Sequence, residues 1–124
     1  MTSTQHPLLL ASSAIHVLLA VGHTVKGREI FQHPSLSRLP SILKDTVRVG
    51  WYEGSMFFAM MSFLNYKWSQ TGLVDGADKA IAGLLVTLFF GAGANYARAG
   101  DKGLGFAMSI IGVFQAVAAR KGVL

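Results

Sequence analysis

The sequence predicts an all-α integral membrane protein, an up-down bundle of four helices. Three observations predict it. Charged residues make up only 14% of the 124 residues and hydrophobic ones 52%, against about 25% charged in ordinary soluble domains. Four long apolar stretches, at about 8–25, 47–68, 80–97 and 103–119, alternate with polar connections. Each is close to the roughly 20 residues that a helix rising ~1.5 Å per residue needs to cross a bilayer. Finally, Ala80 to Ala97 carries no charge on any face, whereas a helix on the surface of a soluble bundle shows a polar side. The length suits a single domain.

Leu8 to Val25 is interrupted only by small polar residues and by His16 and His23. It lacks a basic leader and a small-residue cleavage site, and so reads as a retained span rather than a signal peptide. Lys26 to Thr46 is the longest connection. Pro34 and Pro40 break any continuous helix there, because proline has no amide proton and clashes with the preceding turn. Its apolar residues alternate with basic ones, a composition suited to the headgroup layer with a short interfacial helix, or to a plain polar loop.

Val47 to Trp68 is the second span. Trp51 and Trp68 stand near its ends as expected interface anchors, yet it also holds Glu53. A carboxylate near hydrocarbon costs several kcal/mol unless paired, neutralised or wetted, and so marks a candidate site. Ser69 to Lys79 is turn-rich, Arg98 to Lys102 is a tight loop, and the fourth span ends before Arg120 and Lys121. Gly105, Ser109, Gly112 and Ala116 on the fourth span, with Gly83, Gly91 and Gly93 on the third, predict close helix packing through small residues. The same glycine faces offer surfaces for a homo-oligomer.

The formal net charge is +5. The basic residues are dispersed, with no stripe interleaved with aromatics, which argues against nucleic acid and for anionic membrane lipid as the partner. Absence of cysteine excludes disulfides, thiolate metal sites and a Cys nucleophile. Lys26, Arg28, Arg38, Lys44, Arg48, Arg98 and Lys102 fall on one side of the predicted topology, and Lys67, Lys79, Arg120 and Lys121 on the other. By the positive-inside rule both termini are then non-cytoplasmic.

The up-down order gathers His23, Trp51, Tyr52, Glu53, Asn95 and Tyr96 at one end of the bundle. His16 and His23 share a helix face about 10 Å apart in depth. Tyr52, Ser55, Ala59, Ser62 and Tyr66 form a second polar stripe, with Glu53 about 100° away from it, beside Met56 and Met60. Histidine titrates near neutrality and a carboxyl in an apolar site is pushed toward it. Glu53 and His23 are therefore the candidate acid/base pair, with His16, Trp51, Tyr52, Asn95 and Tyr96 as candidate substrate-binding residues. Such a set suits isomerisation, cyclisation or hydration of a lipophilic small molecule. No metal or cofactor is expected: histidines two turns apart do not chelate one ion, and no HxxxH or HExxH pattern occurs. The alternative is a non-catalytic membrane scaffold or small carrier subunit.

HTVKGREIF (His23 to Phe31), GWYEGS (Gly50 to Ser55) and FFGAGANYARAG (Phe89 to Gly100) give the chain a layout that resembles the small four-span integral membrane proteins of filamentous-fungal secondary-metabolite pathways. The topology also looks like that of DoxX-type and anthrone-oxygenase-type proteins. The resemblance implies an endoplasmic-reticulum protein that helps tailor a polyketide or terpenoid. It carries no catalytic residue over to these positions.

Overall fold

A computed structural model describes residues 6–123 and is all-α. Four long helices, α1 (Pro7–Phe31), α3 (Ser41–Thr71), α4 (Gly76–Arg98) and α5 (Lys102–Gly122), account for most of the chain, and α2 (Pro34–Ser37) is a single turn. Three of them, α1, α4 and α5, are long and apolar enough to cross a membrane. Only 22% of each apolar window is buried within the protein. The remaining apolar surface needs a solvent other than water. α3 is the longest helix but falls outside this group; Lys44, Asp45, Arg48, Glu53 and Lys67 are spread along it.

The connections are shorter than the sequence predicts. Lys26 to Phe31 continues α1, and Ser41 to Thr46 opens α3, so the expected 26–46 connection contracts to the segment around α2. The prolines act where expected. Pro34 takes the first position of α2, with His33 as N-cap accepting from the Ser35 N–H at 3.2 Å, and Pro40 immediately precedes α3. Proline at a first helical turn loses no hydrogen bond, which is why it starts these helices instead of breaking them. The loop expected at Ser69–Lys79 contracts to residues 72–75, where Gly72 turns the chain at φ 71°. The turn into α5 is residues 99–101, with Gly100 at φ 101° and Asp101 capping the Leu104 N–H at 3.0 Å.

The chain falls into two compact units. One joins the start of α1, through Ser12, to everything from Asn65 onward. Here α4 and α5 run antiparallel in close contact: a Cβ placed on Gly93 would lie 2.6 Å from Ser109 Oγ and 2.9 Å from the Gly105 carbonyl oxygen. Gly112 backs onto Phe89, and Gly122 onto Leu9 and Leu73. The small residues of α5 thus pack as expected. On α4 only Gly93 takes part, while Gly83 and Gly91 meet nothing within 4 Å. The core of this unit is Leu9, Trp68, Leu73, Ala82, Leu85, Phe89 and Ala118, with Asn65, Asp78 and Gln115 buried among the helices.

The polar groups of this core satisfy one another. Ser12 Oγ donates to Gln115 Oε1 at 2.5 Å, and Gln115 Nε2 donates to Asn65 Oδ1 at 3.0 Å. Trp68 is fully buried and its indole N–H donates to Asp78 Oδ1 at 2.7 Å. It is therefore not the exposed interface anchor expected from its place near a span end. Asp78 also accepts from the Val74 N–H, and Lys67 Nζ lies 3.7 Å away.

The other unit is Ser13–Leu64, in which the rest of α1 runs antiparallel to the first part of α3. Ser13 Oγ donates to the Ser62 carbonyl at 2.8 Å, Gly54 packs against His23, and Gly27 against Trp51. Along α3 the inward positions are Ser55, Phe58, Met61 and Ser62. Tyr52 and Tyr66, expected on the same polar stripe, are 40% and 54% exposed.

Candidate functional site: an imidazole and aromatic ladder between α1 and α3

The Ser13–Leu64 unit builds its site from two helix faces. On α1, His16, His23 and Phe31 recur at intervals of seven and eight residues, so they lie on one face at successive depths. On α3, Trp51, Ser55 and Phe58 recur at four and three residues and also share a face. Small residues let these faces meet. Gly27 has no room for a Cβ, which would sit 2.6 Å from the Trp51 ring, and a Cβ on Gly54 would sit 2.9 Å from His23 Cε1.

The result is a continuous ladder. His16, with no exposed surface, faces Phe58 at 6.3 Å between ring centroids. The Phe58 edge meets His23 at 5.5 Å, and His23 stacks on Trp51 at 4.2 Å with only 12° between the planes. Trp51 in turn meets Phe31 at 6.3 Å, and Phe31 meets Tyr52 at 5.6 Å. Arg48 lies over the Phe31 ring at 5.5 Å, a cation–π contact that occupies its charge.

Two hydrogen bonds fix the His23 end. The Trp51 indole N–H donates to the His23 carbonyl at 2.7 Å, and His23 Nδ1 lies 3.0 Å from Ser55 Oγ. An imidazole clamped at Nδ1 presents Nε2 as its remaining donor or acceptor. His23 is half-buried, and its ring packs against Trp51, Phe58 and Gly54.

Glu53 is elsewhere. It follows Trp51 by two residues and precedes Ser55 by two, which places it about 160° around the helix from both. It is exposed and lines an open groove of about 510 Å³ with Val49, Tyr52, Met56, Phe57 and Met60. Its carboxylate has no hydrogen bond or ion pair among the described residues. Asn95 and Tyr96 belong to the other unit. There the Asn95 amide donates to the Gly91 carbonyl at 3.0 Å and the Tyr96 carbonyl accepts from the Asp101 N–H at 2.9 Å.

Of the residues picked from the sequence, the structure thus brings His16, His23, Trp51 and Tyr52 into one ladder and turns Glu53 to the opposite face of α3. Sequence reasoning missed Ser55, Phe58 and Phe31 as site components. The signal was present in the spacing Trp51–Ser55–Phe58, whereas Phe31 lay in what reads as a connection. No family model, curated protein or solved structure matches the chain. The ladder therefore has to be interpreted from its own chemistry. Among the described residues no group of three His, Cys, Asp or Glu side chains could hold a metal ion, and the titratable group that the ladder holds in place is the His23 imidazole.

Proposed function

We propose that the protein is a four-span integral membrane enzyme performing acid–base chemistry on a lipophilic small molecule, with His23 as the group that takes and returns the proton. The observation that carries this reading is the His23 ring itself. It is stacked on Trp51, edged by Phe58 and held at Nδ1 by Ser55. A base held in one orientation beside an apolar slot can abstract a proton from an activated carbon and return it at another. That isomerises the substrate without an oxidant, and cyclisation or hydration and dehydration use the same proton handling. Trp51 and Tyr52 would line the path of the substrate from the bilayer, with His16 deeper, behind Phe58.

In this reading α3 is the fourth span. Its 31 residues are ample for a bilayer, and two of its charges are relieved by pairing, Arg48 on Phe31 and Lys67 beside Asp78, whereas Glu53 would need contact with water or headgroups. The excess of basic residues on the α1–α3 and α4–α5 connections favours that side as cytoplasmic and both termini on the other. Residence in the endoplasmic reticulum and a role in tailoring a secondary metabolite rest on the resemblance in layout. The placement of Glu53 away from His23 favours a second reading, a non-catalytic scaffold or carrier subunit, because the expected acid/base pair is not assembled.

The test is a metabolite profile of lipid extracts from the native host, comparing a gene deletion with strains restored by wild type, His23→Gln or Glu53→Gln at equal protein abundance. An enzyme working through His23 predicts that one lipophilic compound builds up in both the deletion and the His23→Gln strain, with turnover down ~10²-fold or more. Glu53→Gln then keeps most of the wild-type turnover. Normal metabolism with His23→Gln removes the catalytic reading and leaves the scaffold.

A further inference from the structure

We infer that the groove between α4 and α5, at the end where α4 begins and α5 finishes, is a binding site for one anionic phospholipid. The groove has a volume of about 270 Å³. Its floor is made of small apolar residues, among them Ala82, Gly83, Ala116 and Ala119, and its rim carries Lys79 and Arg120. Gly83 has nothing within 4 Å of where a Cβ would stand. The floor is therefore open along a helix that is otherwise apolar enough to lie in lipid.

Among the described residues the cations at this end outnumber the anions: Lys67, Lys79, Arg120 and Lys121 against Asp75 and Asp78. Asp78 is committed to the Trp68 indole and the Val74 N–H, with Lys67 at 3.7 Å. Asp75 is committed to capping the Asp78 N–H at 2.8 Å. Lys79 and Arg120 make no ion pair among the described residues. Two unneutralised cations over an apolar groove match a phosphate diester headgroup with its acyl chain laid along Gly83 and Ala116. A guanidinium offers a forked donor pair for phosphate oxygens, and a lysine beside it adds a second positive charge for the same diester.

The experiment is native mass spectrometry of the full chain extracted from vesicles of three parts phosphatidylcholine to one part phosphatidylglycerol. The expected result is one retained phosphatidylglycerol per chain in preference to phosphatidylcholine. Each cation near an anionic lipid is expected to contribute about fivefold, so the Lys79→Gln, Arg120→Gln double variant should lower that preference by roughly 30-fold. Gly83→Leu, which fills the floor while keeping both charges, should reduce retention as well. The double variant Arg98→Gln, Lys102→Gln removes the same charge from the other ends of α4 and α5 and should retain the lipid. Adding glycerophosphate, which has the headgroup anion without chains, should not displace it. The proposal is overturned if wild type shows no preference, if both double variants lose it equally, if Gly83→Leu is without effect, or if glycerophosphate competes. A Lys79, Arg120 variant that misfolds would lose its helical circular dichroism, and Gly83→Leu then still decides the matter.

Discussion

Trp68 and Asp78 show what a single buried contact does in this protein. The indole N–H is the largest buried donor, and Asp78 Oδ1 accepts it at 2.7 Å in a place closed to water. Trp68→Phe keeps most of the packing but deletes the donor, leaving a buried carboxylate with one partner fewer. It should cost about 1–3 kcal/mol, read as a lower midpoint of thermal unfolding in detergent. At the ladder, Ser55→Ala removes the group that holds His23 Nδ1. One hydrogen bond of about 1 kcal/mol corresponds to roughly a fivefold fall in turnover, with protein abundance unchanged. If turnover is unaffected, Ser55 does not position the imidazole.

At the scale of the element, the glycines of α4 are not equivalent. Gly93 sits against the Ser109 hydroxyl and the Gly105 backbone carbonyl of α5, the second of which cannot swing aside, whereas Gly91 faces open space. Gly93→Ala should push α4 and α5 apart and destabilise the pair by about 1–3 kcal/mol. Gly91→Ala should be neutral or stabilising by up to about 1 kcal/mol, since alanine is the better helix former. Unfolding midpoints of the two variants in the same detergent give the comparison. Equal midpoints would mean that α4 and α5 do not meet at Gly93. Gly27 performs a similar service for α1, and Gly27→Ala should displace the Trp51 indole from its contact. The expected readout is a change in tryptophan emission, with turnover falling alongside it.

For the whole molecule, a four-span architecture predicts that α3 crosses the membrane alongside the three candidate spans α1, α4 and α5. The chain contains no cysteine, so single cysteines report cleanly. Lys44→Cys, near the start of α3, and Gln70→Cys, near its end, should be labelled from opposite sides of sealed vesicles by a membrane-impermeant maleimide. Labelling of both from one side would make α3 an interfacial helix and the protein a three-span one. Retention in the pellet after carbonate washing is the accompanying expectation for integral insertion.

Composition and the charge-free run from Ala80 to Ala97 were enough to read helices and a membrane solvent, because both depend on how much apolar surface the chain carries rather than on where it goes. Helical period was enough to place His16 and His23 on one face, and to see that Gly105 and Gly112 would pack. It could not show that the connection after the first span is mostly helix, because proline starts a helix as readily as it ends one. Nor could it find the partner of each polar side chain. Glu53 and His23 lie at corresponding heights of two predicted spans, yet which face of α3 turns toward α1 depends on Gly27, Gly54, Phe58 and Ser55 fitting together. That fit is a three-dimensional property of two helices at once: a rotation of ~160° separates a residue inside the ladder from one facing the opposite way, while the sequence positions differ by two.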